Sequence, residues 1–375
     1  MKILRTRAVL SDIEADTVLR ELLQHLDEHE LVARNHEGGW LLDYDGAQIW
    51  FLAGGDTLRA EVSAPHPELL YDARTMAHHH MAEFAACEPE RIQWEGDRPE
   101  FERPPAFRVL TTIAVEEITP HMRRVRFSGV NLDRYVSDED IHCKLLFPSP
   151  RNLDPEWPTL GADGMPRFPA GDKRLDVRTY TIRRIDAVAG WMDVDFVLHE
   201  NAGPGSGWAA RATPGMQIGL SGPGGRTARP AAWMLLAADD TGLAAIARIA
   251  ETLPPETRGE VILEVQSAED EQALSLPEGM RLQWLHRGDR PAGTTAQLRE
   301  TVMAVSIPPE GDRFAWVAAE FSMAQAVRSW LRDEVGLRGR EQLVVAYWRL
   351  GMDETRMKGG GTSSQRNGQS KKVAE

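Results

Sequence analysis

Cysteine is scarce in this chain, which has only Cys87 and Cys143 among its 375 residues. Two thiols cannot build a disulfide framework, and they fall short of the ligand count of the usual zinc sites. The sequence therefore excludes the small disulfide-rich and zinc-finger classes. Because free cysteine is among the residues most often found inside proteins, we expect both thiols to be buried.

Positive charge is in deficit, and long apolar runs are missing. The chain has 43 Lys and Arg against 57 Asp and Glu, a formal charge of −14, so we expect no nucleic-acid partner. No run approaches the roughly 18 apolar residues that a membrane-spanning helix needs, so we expect no membrane insertion. Acidic residues such as Asp12, Glu14 and Asp16 exclude a secretory signal at the start. These absences predict a cytoplasmic protein.

The length predicts several domains, because 375 residues exceed what one hydrophobic core usually organises. Composition and pattern set the expected boundaries. We predict a small α/β domain of unknown role over residues 1–98, a proline-rich linker over 99–106, a β-rich domain over 107–230, an α/β domain over 231–355 and a disordered tail over 356–375.

The N-terminal 98 residues combine helical and strand patterns. Ser11-Asp12-Ile13-Glu14 has the sequence of a capping box and predicts a helix start. Asp45-Gly46, between two short β-like runs, predicts a hairpin turn, and a second helix is predicted from Pro67. The run His78-His79-His80 lies on that helix, where successive side chains point about 100° apart. We therefore expect an exposed helical surface there and no metal site.

The two regions that follow differ in their hydrophobic pattern. Before residue 230, apolar and polar residues alternate, as in Met122 to Phe127, which predicts antiparallel strands with one wet face. Residues 149–173 hold five prolines and predict a long surface loop. After Pro230, short apolar runs such as Trp233 to Ala238 alternate with helical segments such as Leu243 to Leu253. This alternation predicts a doubly wound domain with a parallel sheet.

Candidate functional residues follow one another in the middle of the chain. On a strand, Tyr180 can place its ring against a planar heterocycle, and Thr181, pointing the opposite way, can reach a ring edge or a sugar hydroxyl. Arg178, on the same face as Tyr180, offers a planar fork for a phosphate. Downstream, Gly203-Pro204-Gly205-Ser206-Gly207 leads into a helix whose positive end can face an anion. An aromatic ring, a hydroxyl and a glycine-rich helix start in this order predict a flavin dinucleotide site.

Residues 107–354 resemble the siderophore-interacting protein family, flavin-dependent ferric-siderophore reductases of the ferredoxin reductase superfamily. The resemblance implies a six-stranded antiparallel barrel that binds FAD, followed by an α/β domain like those that bind nicotinamide nucleotides. The N-terminal segment resembles a small uncharacterised domain fused to some members. The matching motifs are His142 to Pro148, Arg178 to Arg183, Phe196 to His199, Gly203 to Ala209, Ser221 to Gly225, and Tyr347 to Arg349 with Gly351 and Glu354.

The resemblance also implies which residues contact the cofactors. At the turns near Ala238 and Ala319 this chain has alanine where the family usually has glycine. Glycine there lets the backbone approach a nucleotide, so the flavin site is better supported than the nicotinamide site. Implied for FAD are Arg178, Thr179, Tyr180, Thr181, His199, Gly203, Pro204, Ser206, Trp208 and Ala209, the last three of these along the pyrophosphate. Implied for NAD(P)H are Asp239, Thr241 and Glu320.

The implied reaction is FAD-dependent reduction of a ferric siderophore with electrons from NAD(P)H. No protein ligand to iron and no catalytic side chain beyond the flavin is then needed. Lys144, Arg211 and Arg349 are predicted to bind the anionic ferric chelate. Two alternatives stay open: a non-enzymatic redox sensor or siderophore carrier that binds flavin, and a flavoreductase that uses ferredoxin as donor or another acceptor. The sequence predicts no oligomeric state.

Overall fold

The computed structural model describes residues 2–28, 31–98, 100–152, 154–199 and 203–352. The chain divides into two compact units, one of Met1–Pro105 with Glu156–Pro169 and one of Ala106–Pro155 with Ala170–Glu375. The predicted tail over 356–375 and the motif residue Glu354 lie outside the described residues. No helix in the described part of the chain is long and apolar enough to cross a membrane.

The first unit is a six-stranded sheet with two helices packed on one face. Leu22 and Leu26 of the first helix and Leu70 and Ala77 of the second are buried in one core with the sheet. The sheet order is β2-β3-β4-β5-β1-β6. The elements are β1 (Leu4–Leu10), α1 (Ala15–Glu28), β2 (Arg34–His36), β3 (Gly39–Tyr44), β4 (Ala47–Gly54), β5 (Thr57–Ala64), α2 (Pro67–Phe84) and β6 (Gln93–Gly96).

Local predictions for this unit had mixed outcomes. Asp45 and Gly46, both at positive φ, form the predicted turn between β3 and β4. The capping-box prediction at Ser11 was wrong, because Asp12 adopts a φ of 59° and α1 begins only at Ala15. The carbonyl of Glu14 accepts the first helical amides instead.

The three histidines of α2 do not share one exposed surface. His79 is exposed, but His78 is buried, and the indole of Trp94 on β6 donates to its Nδ1 over 3.2 Å. The expectation of an exposed run was therefore wrong for His78, because the Trp94 side chain contacts its ring. Among the residues that the structure describes, no group of three or more His, Cys, Asp or Glu side chains could hold a metal ion.

The second unit begins with a closed six-stranded antiparallel barrel in the order β12-β13-β8-β7-β14-β9, which confirms the predicted barrel. Its interior includes Phe127, Phe147, Ile182 and Phe196, all fully buried. Cys143 is buried there too, whereas Cys87 of the first unit is only half-buried, so the burial prediction was wrong for Cys87. The elements are β7 (Phe107–Thr119), β8 (Met122–Ser128), β9 (Asp140–Pro148), β10 (Thr159–Leu160), β11 (Pro166–Arg167), β12 (Leu175–Asp186), β13 (Trp191–Val197), α3 (Pro204–Ala210) and β14 (Gln217–Arg226).

The β10–β11 hairpin belongs to the first unit, although it lies between two barrel strands in sequence. The buried guanidinium of Arg74 on α2 donates to the carbonyl oxygen of Gly164 over 3.1 Å. Gly164 has a φ of 75°, and a Cβ there would lie 2.4 Å from the same guanidinium nitrogen, so glycine is required. Met165 is also buried. The segment predicted as a surface loop is therefore partly an ordered piece of the first unit.

The chain ends, within the described residues, in a parallel five-stranded sheet of order β17-β16-β15-β18-β19. One face packs on α4 and the other on α5 and α6, so the doubly wound architecture is confirmed. Helix α5 was not predicted, because only Leu298 and Val302 in it are buried. The elements are β15 (Trp233–Ala238), α4 (Leu243–Glu251), β16 (Arg258–Val265), β17 (Gly279–His286), α5 (Gln297–Met303), β18 (Arg313–Glu320), α6 (Phe321–Trp330) and β19 (Gln342–Trp348).

Candidate functional site

Three neighbouring barrel strands bring several predicted site residues together. In the pairing of β12 with β9, Thr179 lies beside Lys144 and Thr181 lies beside His142. On the other side of β9, Ser221 of β14 also lies beside Lys144. Lys144 and Thr179 are exposed, whereas Thr181 and His142 are buried. The predicted substrate cation Lys144 is thus one strand away from two predicted cofactor residues.

Tyr180 points to the opposite side of β12 from Thr181. Its ring centroid lies 4.6 Å from that of Phe196 and 6.0 Å from that of Phe147, and the ring remains half-buried. Because side chains alternate along a strand, Arg178 is on the same side as Tyr180, and it is half-buried as well. This side of the strand combines a phenol ring with a guanidinium.

Helix α3 begins directly against the Tyr180 hydroxyl. A Cβ at Gly205 would lie 2.0 Å from that oxygen, far inside van der Waals contact, so only glycine fits. The backbone N–H of His199 donates to Ser206 Oγ over 3.4 Å, and the N–H of Gly207 donates to the Gly203 carbonyl over 2.8 Å. The first-turn amides of a helix have no acceptor within the helix, so the start of α3 presents N–H groups beside the phenol.

Trp208 and Ala209 are placed differently from the prediction. Trp208 is 2% exposed and packs on Phe127, Phe147 and Phe196 at centroid distances of 5.8 to 6.0 Å. Ala209 is fully buried in the same core. Both side chains point into the barrel and cannot line a pyrophosphate, so only their backbone is left for that role.

The other two predicted substrate cations have local contacts. Arg211, just after α3, is exposed and donates to the Gly207 carbonyl over 2.6 Å. Arg349, just after β19, is exposed, and its guanidinium carbon lies 4.5 Å from the centroid of the Phe321 ring. They occupy different elements from Lys144.

The residues predicted for the nicotinamide nucleotide lie at the carboxyl ends of β15 and β18. Asp239 is buried and accepts hydrogen bonds from the Thr241 amide at 2.9 Å and the Trp348 indole at 2.8 Å. It also accepts a hydrogen bond from the Glu320 amide at 3.2 Å. Burial raises the pKa of Asp239, and these hydrogen bonds oppose the shift. Glu320 in turn accepts from the Ser322 amide at 2.6 Å, so both carboxylates help to close their own turns.

A crevice opens at this edge of the sheet. The methyl group of Ala238 does not narrow the crevice, because Ala238 is fully buried and its methyl group lies against Gly242. A Cβ added to Gly242 would lie 2.5 Å from the Ala238 Cβ. Ala319 does contribute to its wall. The lining residues are Asp239, Glu264, Gly293, Thr295, Leu298, Arg299, Ala319, Glu320, Ser322 and Met323. Three acids and one base make its wall predominantly acidic.

The barrel and the parallel-sheet domain meet where His142 of β9 contacts Tyr347 of β19. Nε2 of His142 forms a short hydrogen bond with the Tyr347 hydroxyl at the end of β19, and the two rings are perpendicular. Thr181, the neighbour of His142 in the pairing of β12 with β9, is buried here as well. Burial lowers the pKa of His142 to about 4, so its imidazole is neutral at pH 7. Sequence reasoning assigned His142 and Tyr347 no role, because no local pattern connects residues 205 positions apart.

Hydrogen bonds, two of them within an ion pair, attach β12, the strand with the motif Arg178 to Arg183, to helix α4 of the parallel-sheet domain. Arg183 of β12 makes two hydrogen bonds with the Glu251 carboxylate, at 2.6 and 2.9 Å. Arg248 of α4 donates to the Ile182 carbonyl over 2.6 Å. The part of β12 that follows Thr181 is therefore held against α4.

These residues fit a flavin dinucleotide in chemistry and order. The phenol ring of Tyr180 and the guanidinium of Arg178 lie on one side of β12. The start of α3 lies against this phenol, where only glycine fits. The hydroxyl of Thr181 is buried on the other side of the strand. The chain matches the Siderophore-interacting FAD-binding domain over residues 111–227 and the family described as Siderophore-interacting protein over residues 231–351. The chain belongs to the siderophore-interacting protein family.

Relatives of this family member cover its last two domains. Ferric vibriobactin reductase ViuB of Vibrio cholerae is 31% identical over 259 residues, which are 66% of this chain and 91% of ViuB. A siderophore utilization protein from T. fusca is 36% identical with a TM-score of 0.61, covering 68% of this chain and 98% of that one. The siderophore-interacting protein SipS from Aeromonas hydrophila is 30% identical with a TM-score of 0.58, covering 69% and 96%.

Proposed function

We propose that this siderophore-interacting protein is an FAD-dependent reductase that moves electrons from NADH or NADPH to a ferric siderophore and releases Fe(II) in the cytoplasm. The observation that carries the proposal is the start of α3 against Tyr180 in a chain that is 31% identical to a ferric vibriobactin reductase. One NAD(P)H reduces two ferric chelates and yields NAD(P)⁺, one proton and two Fe(II). Reduction weakens the binding of iron by hard oxygen donors, so no protein ligand to iron is required.

FAD, when bound, supplies the transfer between a two-electron donor and a one-electron acceptor. The protein binds and orients it. Arg178 pairs with the pyrophosphate, and the first-turn amides at Gly205 and Ser206 donate to it. Tyr180 packs against the cofactor on the same side of β12, and Thr181 presents its hydroxyl to the ring edge from the other. The remaining proposed contacts come from the loop before α3 and from β12: His199, Gly203, Pro204 and Thr179.

The visible spectrum of the purified protein tests the cofactor, and anaerobic mixing with reduced nicotinamides tests the reaction. Flavin absorption that is lost on adding NADH or NADPH, and that returns on adding a ferric siderophore with release of Fe(II), would support the proposal. A protein that stays colourless after reconstitution with excess FAD would contradict it. Flavin that is reduced but does not react with any ferric chelate would favour a redox sensor.

We expect NADH to reduce the protein faster than NADPH. The crevice proposed for the nucleotide is lined by the carboxylates of Asp239, Glu264 and Glu320 and by one guanidinium, that of Arg299. An added 2′-phosphate brings further negative charge to this wall, which weakens binding, by about tenfold if the net cost is about 1.4 kcal/mol. Stopped-flow reduction at several concentrations of each donor measures the two second-order rate constants. Equal constants would show that the 2′-phosphate lies away from these acids.

One observation favours a second candidate donor. The amides at the carboxyl ends of β15 and β18 already bind Asp239 and Glu320, so they are not available to a pyrophosphate. A reductase fed by reduced ferredoxin needs no nucleotide in this crevice. Ferredoxin would be established as the donor in place of NAD(P)H if reduced ferredoxin bleached the flavin absorption and neither NADH nor NADPH did.

Lys144→Glu should weaken the use of anionic ferric chelates and leave the flavin content unchanged. Lys144 is exposed on β9 beside Thr179 and Ser221, where a ferric catecholate could approach the flavin edge. Reversing this charge should raise KM for the chelate by about tenfold, a cost of about 1.4 kcal/mol, with a smaller change in kcat. Steady-state kinetics with an anionic and a neutral ferric chelate would measure it.

The matched control is Lys173→Glu, because Lys173 lies before β12 and donates to Asn152 Oδ1 and to the Asp154 carbonyl. It carries the same change of charge, so its KM should stay near that of the unsubstituted protein. If both substitutions raised KM equally, the effect would come from the overall charge and Lys144 would have no specific role.

A further inference from the structure

A buried carboxylate of the parallel-sheet domain holds the tip of a barrel hairpin. Strands β7 and β8 are joined by a turn of only two residues, Pro120 and His121. Oδ1 of Asp270, in the turn that follows β16, accepts from the backbone N–H of His121 over 3.2 Å and lies 2.9 Å from its Nδ1. The Asp270 side chain is only 3% exposed. One carboxylate therefore contacts both the main chain and the side chain of His121.

This carboxylate is itself fixed within its own domain. Asp270 closes a capping box with Ser267, in which Oδ2 accepts from the Ser267 N–H over 3.1 Å and from its hydroxyl over 3.2 Å. Burial alone would raise the pKa of Asp270, but the hydrogen bonds from His121 and Ser267 lower it below its usual value. The carboxylate is therefore ionised at pH 7 and can only accept, so Nδ1 of His121 is the donor.

The carbonyl of His121 holds the strand end from which the chain leads to α3. The N–H of Leu198, the first residue after β13, donates to this carbonyl over 2.8 Å. The N–H of the next residue, His199, donates to Ser206 Oγ in the first turn of α3. Two successive amides thus connect the hairpin tip with the helix start, where FAD is proposed to bind.

We propose that His121 and Asp270 are positioning residues for FAD, through which the parallel-sheet domain holds the segment between β13 and α3 in the conformation that binds the cofactor. The inference rests on the proposed function, because it requires FAD at the start of α3. Neither side chain is a proposed cofactor contact. Their effect is preorganisation, since a segment that is already held in its bound conformation loses less conformational entropy when the ligand binds.

Two substitutions of equal shape at position 121 test the hydrogen bond. Asparagine has an amide nitrogen at the branch point where histidine has Nδ1, so it can donate to Asp270, whereas leucine has the same branching and no donor. For His121→Leu we expect the FAD dissociation constant to rise about tenfold. For His121→Asn we expect it to stay within about twofold of that of the unsubstituted protein. Titration followed by quenching of flavin fluorescence measures both.

The matched control is His286→Leu. Nε2 of His286 lies 2.8 Å from the carboxylate of Glu271, the residue after Asp270, and both members of this pair belong to the parallel-sheet domain. Its loss should leave FAD affinity unchanged. With Asp270→Ala in place, His121→Leu and His121→Asn should bind FAD equally weakly, because the donor of asparagine no longer has its acceptor.

Hydrogen exchange at the Leu198 amide in the FAD-free protein provides a measurement that does not need the cofactor. Exchange should be faster in His121→Leu than in His121→Asn, since releasing the hairpin tip weakens the bond to its carbonyl. Mass spectrometry of the peptides that contain Leu198 measures these rates.

The inference is overturned, with the proposed function left standing, if His121→Leu leaves either the exchange rate or the FAD affinity unchanged. It is also overturned if His121→Asn loses as much affinity as His121→Leu. Failure of the unsubstituted protein to bind any FAD would instead overturn the proposed function, and this inference with it.

Discussion

Gly205→Ala is expected to yield a folded protein that is purified without FAD. The added Cβ would lie 2.0 Å from the Tyr180 oxygen and 2.9 Å from Cζ, so either the phenol ring or the start of α3 must move by more than 1 Å. Overpacking of this kind costs about 1–3 kcal/mol, and the displaced group is one that the cofactor needs in place. We expect FAD affinity to fall by about 10- to 100-fold, as measured by quenching of flavin fluorescence during titration.

Two further variants make this result interpretable. Gly54→Ala is a matched control, because a Cβ at that position meets nothing within 4 Å, and it should bind FAD normally. Tyr180→Phe combined with Gly205→Ala removes the closest atom of the clash, so part of the lost thermal stability should return. If Gly205→Ala bound FAD as tightly as the unsubstituted protein, Tyr180 and the start of α3 would not form the cofactor cradle.

The fold was predictable where sequence periodicity and turn chemistry act locally. Trp233 to Ala238 is a continuous apolar run because β15 is buried on both faces by the two helix layers. Asp45-Gly46 is a turn because both positions need positive φ. The capping-box prediction near Asp12 failed because Asp12 adopts a left-handed conformation that no sequence pattern indicates. Helix α1 therefore begins later than predicted, at Ala15.

The candidate site was predictable only in its linear motif. The alternation of side chains along β12 determines on which side of the strand Arg178, Tyr180 and Thr181 lie. Nothing local indicates that His142 meets Tyr347, because that contact depends on how two domains pack. The β10–β11 hairpin was missed for a similar reason: it is stabilised by Arg74, 90 residues earlier in the chain.

Trp208 shows how a family-like motif can mislead about a side chain. It belongs to the matching segment from Gly203 to Ala209, which suggested a contact with the pyrophosphate. On a short helix with one side against the barrel, however, a large apolar residue is stabilised most by burial. The structure places it among three aromatic rings of the core, so its expected role is in stability.

Trp208→Ala should therefore destabilise the barrel by about 3–5 kcal/mol, the usual cost of removing a fully buried large aromatic side chain. Trp208→Phe, which retains most of the packing, should cost about 1–3 kcal/mol and leave FAD affinity unchanged. Calorimetry of the FAD-free protein would measure the loss, since it can resolve separate transitions in a chain with two compact units.

Trp191→Ala is the matched control for this prediction. Trp191 lies on β13 and is only half-buried, with the Arg126 guanidinium 3.9 Å from its ring centroid. Its loss should cost about 1 kcal/mol, the value of an exposed cation–π contact. If Trp208→Phe instead kept full stability and lost FAD, Trp208 would act on the cofactor as the motif suggested, and the assignment of its side chain to the core would be wrong.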